Sequence, residues 1–206
     1  MSEWVIKPKN IIVIGASAGG PHVLKMIFSG LPRLKASIII VQHMPKFIND
    51  SLRDSLGSLT KMKVQIAENR KQIRQGTVYI APSEIHIKMI DNETIRLFAA
   101  EKVNYVCPSV DVTMKSLRME IGASFVGVVV TGMGRDGAEG IAHIKRIGGI
   151  TIAQDEKTSS IFGMPKEAID TGCVDMVLTP QEIREKLIEI SGVDGKSDFD
   201  IKPIVK

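Results

Sequence analysis

Short β-branched runs alternating with helix-length amphipathic stretches constrain this chain more than any other feature of its sequence. Ile11-Ile12-Val13-Ile14 is a compact apolar run ending at Gly15, and Ser37-Ile38-Ile39-Ile40-Val41 repeats the pattern. Between them, Pro21 suits the first turn of a helix that carries Val23, Leu24, Ile27 and Phe28 and stops at Gly30. Strands apolar on both faces and separated by helices belong in a parallel sheet covered on both sides. At 206 residues, the chain fits one domain of roughly 150–200 residues. A domain of that size buries about 70% of its unfolded surface and needs no disulfide or metal to hold it together.

The same alternation continues along the chain. A helix through Ile48, Leu52 and Leu56 stops at Gly57, and residues 64–67 read as a third strand. The rhythm then changes. Thr77-Val78-Tyr79-Ile80, residues 85–90 and residues 94–98 are consecutive extended segments, the last two joined by Asp91-Asn92-Glu93, a hairpin loop. Ser109 next caps a helix carrying Val112, Leu117 and Ile121, with Gly122 closing it. An apolar strand at 125–130, a helix from Asp136 to Gly148 and a strand at 150–153 follow, then a helix at 164–171, a strand at 174–178 and a helix at 180–190. The expected fold is a single α/β domain over residues 1–191 with a doubly wound, mostly parallel Rossmann-like sheet. Helices lie on both faces, an antiparallel hairpin is inserted, and residues 192–206 form a loose C-terminal tail.

Composition removes several function classes. The 27 Lys and Arg against 23 Asp and Glu leave a net charge of +4, without an Arg-rich run, and only six Phe, two Tyr and one Trp are available for base stacking. That is not the profile of a nucleic-acid binder. Cys107 and Cys173 have neither CxxC nor Cys/His spacing, so no zinc site or disulfide framework is expected, and two lone thiols suit a reducing compartment. The N-terminus lacks the basic and apolar regions of a signal peptide. No apolar run approaches the roughly 18 residues that span a bilayer, so a cytoplasmic protein without membrane insertion is expected.

In open α/β sheets the working crevice lies at the carboxyl ends of the strands. Directly after the first strand comes Gly15-Ala16-Ser17-Ala18-Gly19-Gly20, and after the second Gln42-His43-Met44-Pro45. The strand ending at Val130 leads into Thr131-Gly132-Met133-Gly134-Arg135-Asp136-Gly137, and the one ending at Ala153 into Gln154-Asp155-Glu156. A serine hydroxyl needs a base within reach, histidine has the right pKa for that task, and a carboxylate fixes the imidazole tautomer. Ser17 sits in a GxSxG turn between strand and helix, the nucleophile-elbow pattern, with the Ala18 N–H placed to meet an oxyanion. His43 is the only one of four histidines directly after a central strand: His22 and His143 fall on helices and His86 in the hairpin. Position alone leaves the acid open between Asp136 and Asp155, with Glu68 following a third strand.

A dinucleotide fingerprint is the rival motif. Gly15-x-Ser17-x-x-Gly20 puts Ser17 where the middle glycine approaches the pyrophosphate, and Gln42-His43 replaces the expected acid.

Taken together, these segments resemble the catalytic domain of the chemotaxis protein-glutamate methylesterase family, CheB, over roughly residues 10–190. The resemblance rests on Ile14-Gly15-Ala16-Ser17-Ala18-Gly19-Gly20-Pro21, Val41-Gln42-His43-Met44, Tyr79-Ile80-Ala81-Pro82 and Pro108-Ser109-Val110-Asp111-Val112. Thr131-Gly132-Met133-Gly134-Arg135-Asp136-Gly137-Ala138 and Ile152-Ala153-Gln154-Asp155-Glu156, with Phe162-Gly163-Met164-Pro165, complete it. It implies Ser17 as nucleophile, His43 as general base and Asp136 as orienting acid, with the Met133 amide joining that of Ala18 in the oxyanion hole. It implies a serine-type hydrolase that acts on glutamyl methyl esters and glutamines of chemoreceptor cytoplasmic helices, in adaptation of two-component chemotaxis signalling, with no cofactor and no metal. Ala18 stands where the family commonly has Thr, keeping the backbone donor and losing a hydroxyl. Family members commonly carry an N-terminal phosphoacceptor receiver domain. This chain starts ten residues before its first strand, so no receiver is expected within it: the sequence is either a piece of a longer phosphorelay-controlled enzyme or a stand-alone esterase, for which a separate regulatory protein is a candidate partner.

Overall fold

The computed structural model describes residues 10–194. The chain runs β1 (Asn10–Ala16), α1 (Gly20–Phe28), β2 (Ser37–Gln42), a 3-10 turn (Lys46–Ile48), α2 (Asn49–Gly57), β3 (Lys63–Ile66), β4 (Thr77–Ile80), β5 (His86–Ile90) and β6 (Thr94–Phe98). It continues through α3 (Val110–Lys115), β7 (Ser124–Val129), α4 (Ala138–Arg146), β8 (Ile150–Gln154), α5 (Gly163–Asp170), β9 (Met176–Leu178) and α6 (Pro180–Ser191). Seven strands form one sheet in the order β3-β4-β2-β1-β7-β8-β9, every pairing parallel, while β5 and β6 pair antiparallel in a separate ribbon.

Alternate residues of each strand feed two cores. Ile12, Ile14, Ile38, Ile40, Val126 and Val128 pack with Leu24, Ile27 and Phe28 of α1, Leu52 and Leu56 of α2 and Ile183 and Leu187 of α6. Ile11, Val13, Ile39, Val41 and Val129 pack on the other face with Val110 and Met114 of α3, Ile141 and Ile144 of α4 and Met164 of α5. The ribbon lies on this second face through Ile87, Met89 and Ile95. The sheet is thus buried on both sides, as the unbroken β-branched runs require. From β1 the strand order proceeds outward through β2 on one side and through β7 on the other, so the switch point lies between β1 and β7.

Residues 77–80 form β4, which lies between β3 and β2 in the main sheet, and two local expectations are corrected. The helix capped by Ser109 ends at Lys115, not near Gly122, and Ile121 is exposed. There the Ser116 hydroxyl donates to the Thr113 carbonyl at 2.6 Å and accepts from the Met89 amide at 2.8 Å. Asn92, at the ribbon tip, then holds both the Arg118 amide (3.0 Å) and carbonyl (2.8 Å), drawing the chain away from the helical path. The strand expected at 174–178 is shorter, Met176–Leu178. At the expected tail, Val193 bridges to Leu34, and the rest beyond Asp194 lies outside the described residues. Among the described residues no helix is long and apolar enough to cross a membrane.

Candidate active site

Ser17 and His43 stand one residue beyond a paired position of two neighbouring strands, since Ala16 of β1 is in register with Gln42 of β2. The His43 amide donates to the Ala16 carbonyl at 2.9 Å, and the Ser17 amide to the Thr131 carbonyl at 3.0 Å, which ties the serine turn to the loop after β7. Gly19 caps α1 with φ 80, a left-handed turn that favours glycine. The buried Gln42 side chain locks the pair: its Nε2 donates to the carbonyls of both Ser17 and His43, each at 2.8 Å. Its Oε1 occupies the space where a Cβ on residue 20 would stand, 2.0 Å away, so that position tolerates only glycine without rearrangement.

The imidazole of His43 meets Asp136 through Nε2, 2.9 Å from Oδ2. An ionised carboxylate only accepts, so this nitrogen carries the proton and Nδ1 is left with its lone pair. Nδ1 is buried and has no hydrogen-bond partner among the described residues. In the familiar serine-protease triad the acid holds Nδ1; here Asp136 holds Nε2. The Ser17 hydroxyl is half-buried and makes no hydrogen bond among the described residues. The contact between nucleophile and base is frequently long until substrate closes it.

Asp136 is the most heavily hydrogen-bonded side chain of the site. Oδ1 accepts from the Ser109 hydroxyl (2.7 Å), the Asp111 amide (3.1 Å) and Asn104 Nδ2 (3.4 Å), and Oδ2 from the Val110 amide (2.7 Å) as well as from His43. Burial alone would raise its pKa. The bonds from His43, Ser109 and the Val110 amide outweigh burial and hold the carboxyl below the ordinary carboxylate range. Asp136 is therefore ionised at neutral pH, the state that orients an imidazole.

Asp111, next to it, behaves oppositely. Its Oδ1 accepts the amides of Gly137 (2.9 Å) and Gly140 (2.7 Å) at the start of α4, and its Oδ2 accepts Asn104 Nδ2 (2.8 Å). Burial pushes its pKa up to about 6, the Gly140 amide opposing that rise and the charge of Asp136 adding to it. The expected first-turn helix acid thus caps a different helix from the one it sits on.

The backbone N–H groups of Ala18 and Met133, both expected at an oxyanion hole, have no acceptor among the described residues and lie on the two loops joined by the Ser17–Thr131 bond. Ala18 also holds that junction, its carbonyl accepting from the Thr131 hydroxyl at 3.0 Å. The other candidate acids lie elsewhere: Asp155 accepts from Thr158 in its own turn, and Glu68 pairs with Lys71 on the surface. His86 and His143 are structural, bonded to the Glu101 and Leu117 carbonyls, and His22 is exposed on α1. Among the described residues no group of three or more His, Cys, Asp or Glu is arranged to hold a metal ion. Gln42 and Asn104 carry roles that spacing alone did not reveal, since their partners lie on other segments.

The CheB methylesterase family model matches residues 12–187. The chain belongs to the CheB methylesterase family. It is 45% identical over 182 residues to the protein-glutamate methylesterase/protein-glutamine glutaminase of Pyrococcus horikoshii, covering 86% of this chain and 50% of that protein. The enzyme of the same name from Archaeoglobus fulgidus is 41% identical over 191 residues, covering 90% of this chain and 55% of the relative. The crystal structure of the Thermotoga maritima CheB methylesterase catalytic domain superposes with a TM-score of 0.82 at 41% identity, covering 87% of this chain and 97% of that domain. The chain spans about half the length of the curated relatives it matches, and its fold is that of the CheB catalytic domain.

Proposed function

We propose that this CheB-family chain hydrolyses glutamyl methyl esters, and deamidates glutamines, on the cytoplasmic helices of chemoreceptors, resetting them during chemotactic adaptation. The observation that carries this reading is the orientation of His43, whose Nε2 is fixed on ionised Asp136 while Nδ1 remains an unpartnered acceptor at the strand end beside Ser17. Ser17 Oγ attacks the side-chain carbonyl as His43 Nδ1 takes its proton. The oxyanion is received by the Ala18 and Met133 amides. His43 then returns the proton to the leaving group, releasing methanol from an ester or ammonia from an amide and leaving an acyl-serine. Water, deprotonated by the same nitrogen, attacks the acyl-serine and frees glutamate and Ser17. Asp136 stays ionised throughout and stabilises the imidazolium. The reaction needs no cofactor and takes place in the cytoplasm.

The test is methanol release from a methyl-esterified receptor cytoplasmic fragment. Ser17→Ala is expected to lower kcat by about three or more powers of ten. Near-normal turnover by that variant would overturn the assignment.

A further inference from the structure

The segment 99–108, between β6 and α3, arches over the site as a strap tied at several points. His86 Nε2 donates to the Glu101 carbonyl at 3.0 Å, and the Glu84 amide donates to the Cys107 carbonyl at 3.3 Å. Asn104 Nδ2 reaches both Asp111 and Asp136. At its crown, Val103 and Val106 exchange both backbone hydrogen bonds, at 3.1 and 3.0 Å, around Asn104 and Tyr105 with φ of 52° and 66°. Positive φ at both central residues marks a type I′ turn, which is ordinarily built from Asn followed by Gly.

Asn104 obeys that rule and Tyr105 breaks it. A bulky side chain at positive φ is an outlier that the surrounding structure must hold in place. The ring recovers nothing from the fold in return: it is 94% exposed and has no hydrogen bond or ring contact among the described residues. It stands instead at the mouth of a cavity of about 380 Å³ lined by His43, Met44, Glu84, Lys102 and Cys107 as well as Tyr105.

Other loops at this edge expose the same kinds of side chain. Phe47, four residues after His43, is 83% exposed, and Met133, after β7, is 76% exposed. Lys46, Lys102 and Arg135 lie on these three loops, are exposed and make no ion pair among the described residues. The rim therefore offers apolar contacts beside three cations that outnumber its exposed carboxylates, Glu84 and Glu101, an excess complementary to an acidic peptide segment that also carries apolar residues.

We infer that Tyr105 is a substrate-contacting residue, held out by the strained strap turn to grip the acidic segment that bears the esterified glutamate, with Phe47 and Met133 completing the contact. This rests on the esterase reading above. Binding then follows the strap: the hydrogen bond that fixes Asp136 through Asn104 also sets the position of the next residue, so the gripping ring and the reacting centre share one anchor.

The experiment compares wild type, Tyr105→Gly and Tyr105→Phe for methanol release from a methyl-esterified receptor fragment and for hydrolysis of p-nitrophenyl acetate, alongside melting temperature. Tyr105→Gly is expected to lower the ratio of receptor to small-ester kcat/KM by about tenfold or more, through KM. Its melting temperature is expected to equal or exceed that of wild type, because glycine relieves the turn. Tyr105→Phe is expected to stay within about twofold of wild type on both substrates. A Tyr105→Gly ratio equal to wild type would overturn the inference while leaving the esterase reading intact. A wild type without receptor esterase activity would overturn both.

Discussion

Asp111 and Asp136 each cap the helix that the other introduces. Asp136, just before α4, accepts the amides of Val110 and Asp111 at the start of α3, and Asp111 accepts the amides of Gly137 and Gly140 at the start of α4. Two short helix starts are thereby fastened head to head, with Asn104 bridging the carboxylates. The exchange is unequal. Asp136 collects enough donors to remain ionised below the usual range, whereas Asp111 is buried beside that charge and has its pKa raised to about 6.

A pH signature follows from that inequality. A carboxyl whose folded pKa is raised favours the native state below its unfolded pKa and loses that contribution as pH rises through the folded value. For Asp111 the window runs from about 4 up to about 6, with Asp136 and Glu139 opposing its ionisation and Lys115 nearby favouring it. The neutral Asp111→Asn variant is expected to gain about 1 kcal/mol on wild type between pH 5 and pH 7.5, on top of any pH-independent change from the altered Asn104 contact. Urea unfolding at both pH values measures this. A stability difference that does not change with pH would contradict the assignment.

Asp136 has the opposite sign. Its depressed pKa contributes stability above the unfolded carboxylate pKa, and that contribution is lost as pH falls below it. Asp136→Asn puts an NH2 group among donors from Val110, Ser109 and His43, leaving at least one buried donor unsatisfied at a cost of about 1–3 kcal/mol. The same change forces His43 to reverse its tautomer or leave the site. The expected loss is about four powers of ten in kcat with little change in KM. Steady-state kinetics on a soluble ester checks it.

Gln42 is expected to act as a positioning residue. Its single amide nitrogen holds the Ser17 and His43 carbonyls, so Gln42→Leu frees two buried acceptors and loosens the spacing of nucleophile and base. The expected loss is about 10–100-fold in kcat with KM nearly constant, since substrate contacts are not removed. Gly20→Ala, which drives a methyl group into Gln42 Oε1, should reproduce the defect. A purely structural role would instead lower stability without this kcat-selective loss.

Much of this architecture was legible because its cause is local. The β-branched runs at 11–14 and 37–41 are buried on both faces and form strands, and Pro21, Ser109 and Gly30 fall at the helix ends their chemistry favours. The sheet rule then placed Ser17, His43 and Asp136 along one edge. Features set by partners far along the chain were not legible. The early end of α3 depends on Asn92, more than twenty residues earlier, and the position of β4 depends on its pairing with β2 and β3. Spacing left Asp136 and Asp155 as equals, and the bond to His43 separates them. The ring nitrogen that meets Asp136, the Gln42 bridge and the paired helix caps are all set by contacts of this distant kind.

The dependence of Ser17 on His43 is tested most directly by the rate of fluorophosphonate labelling, with the modified residue located by mass spectrometry. Wild type should carry the label on Ser17, and His43→Ala should slow labelling by about three powers of ten while the protein stays folded. A label located elsewhere, or a Ser17 labelling rate indifferent to the loss of the imidazole, would contradict the proposed chemistry.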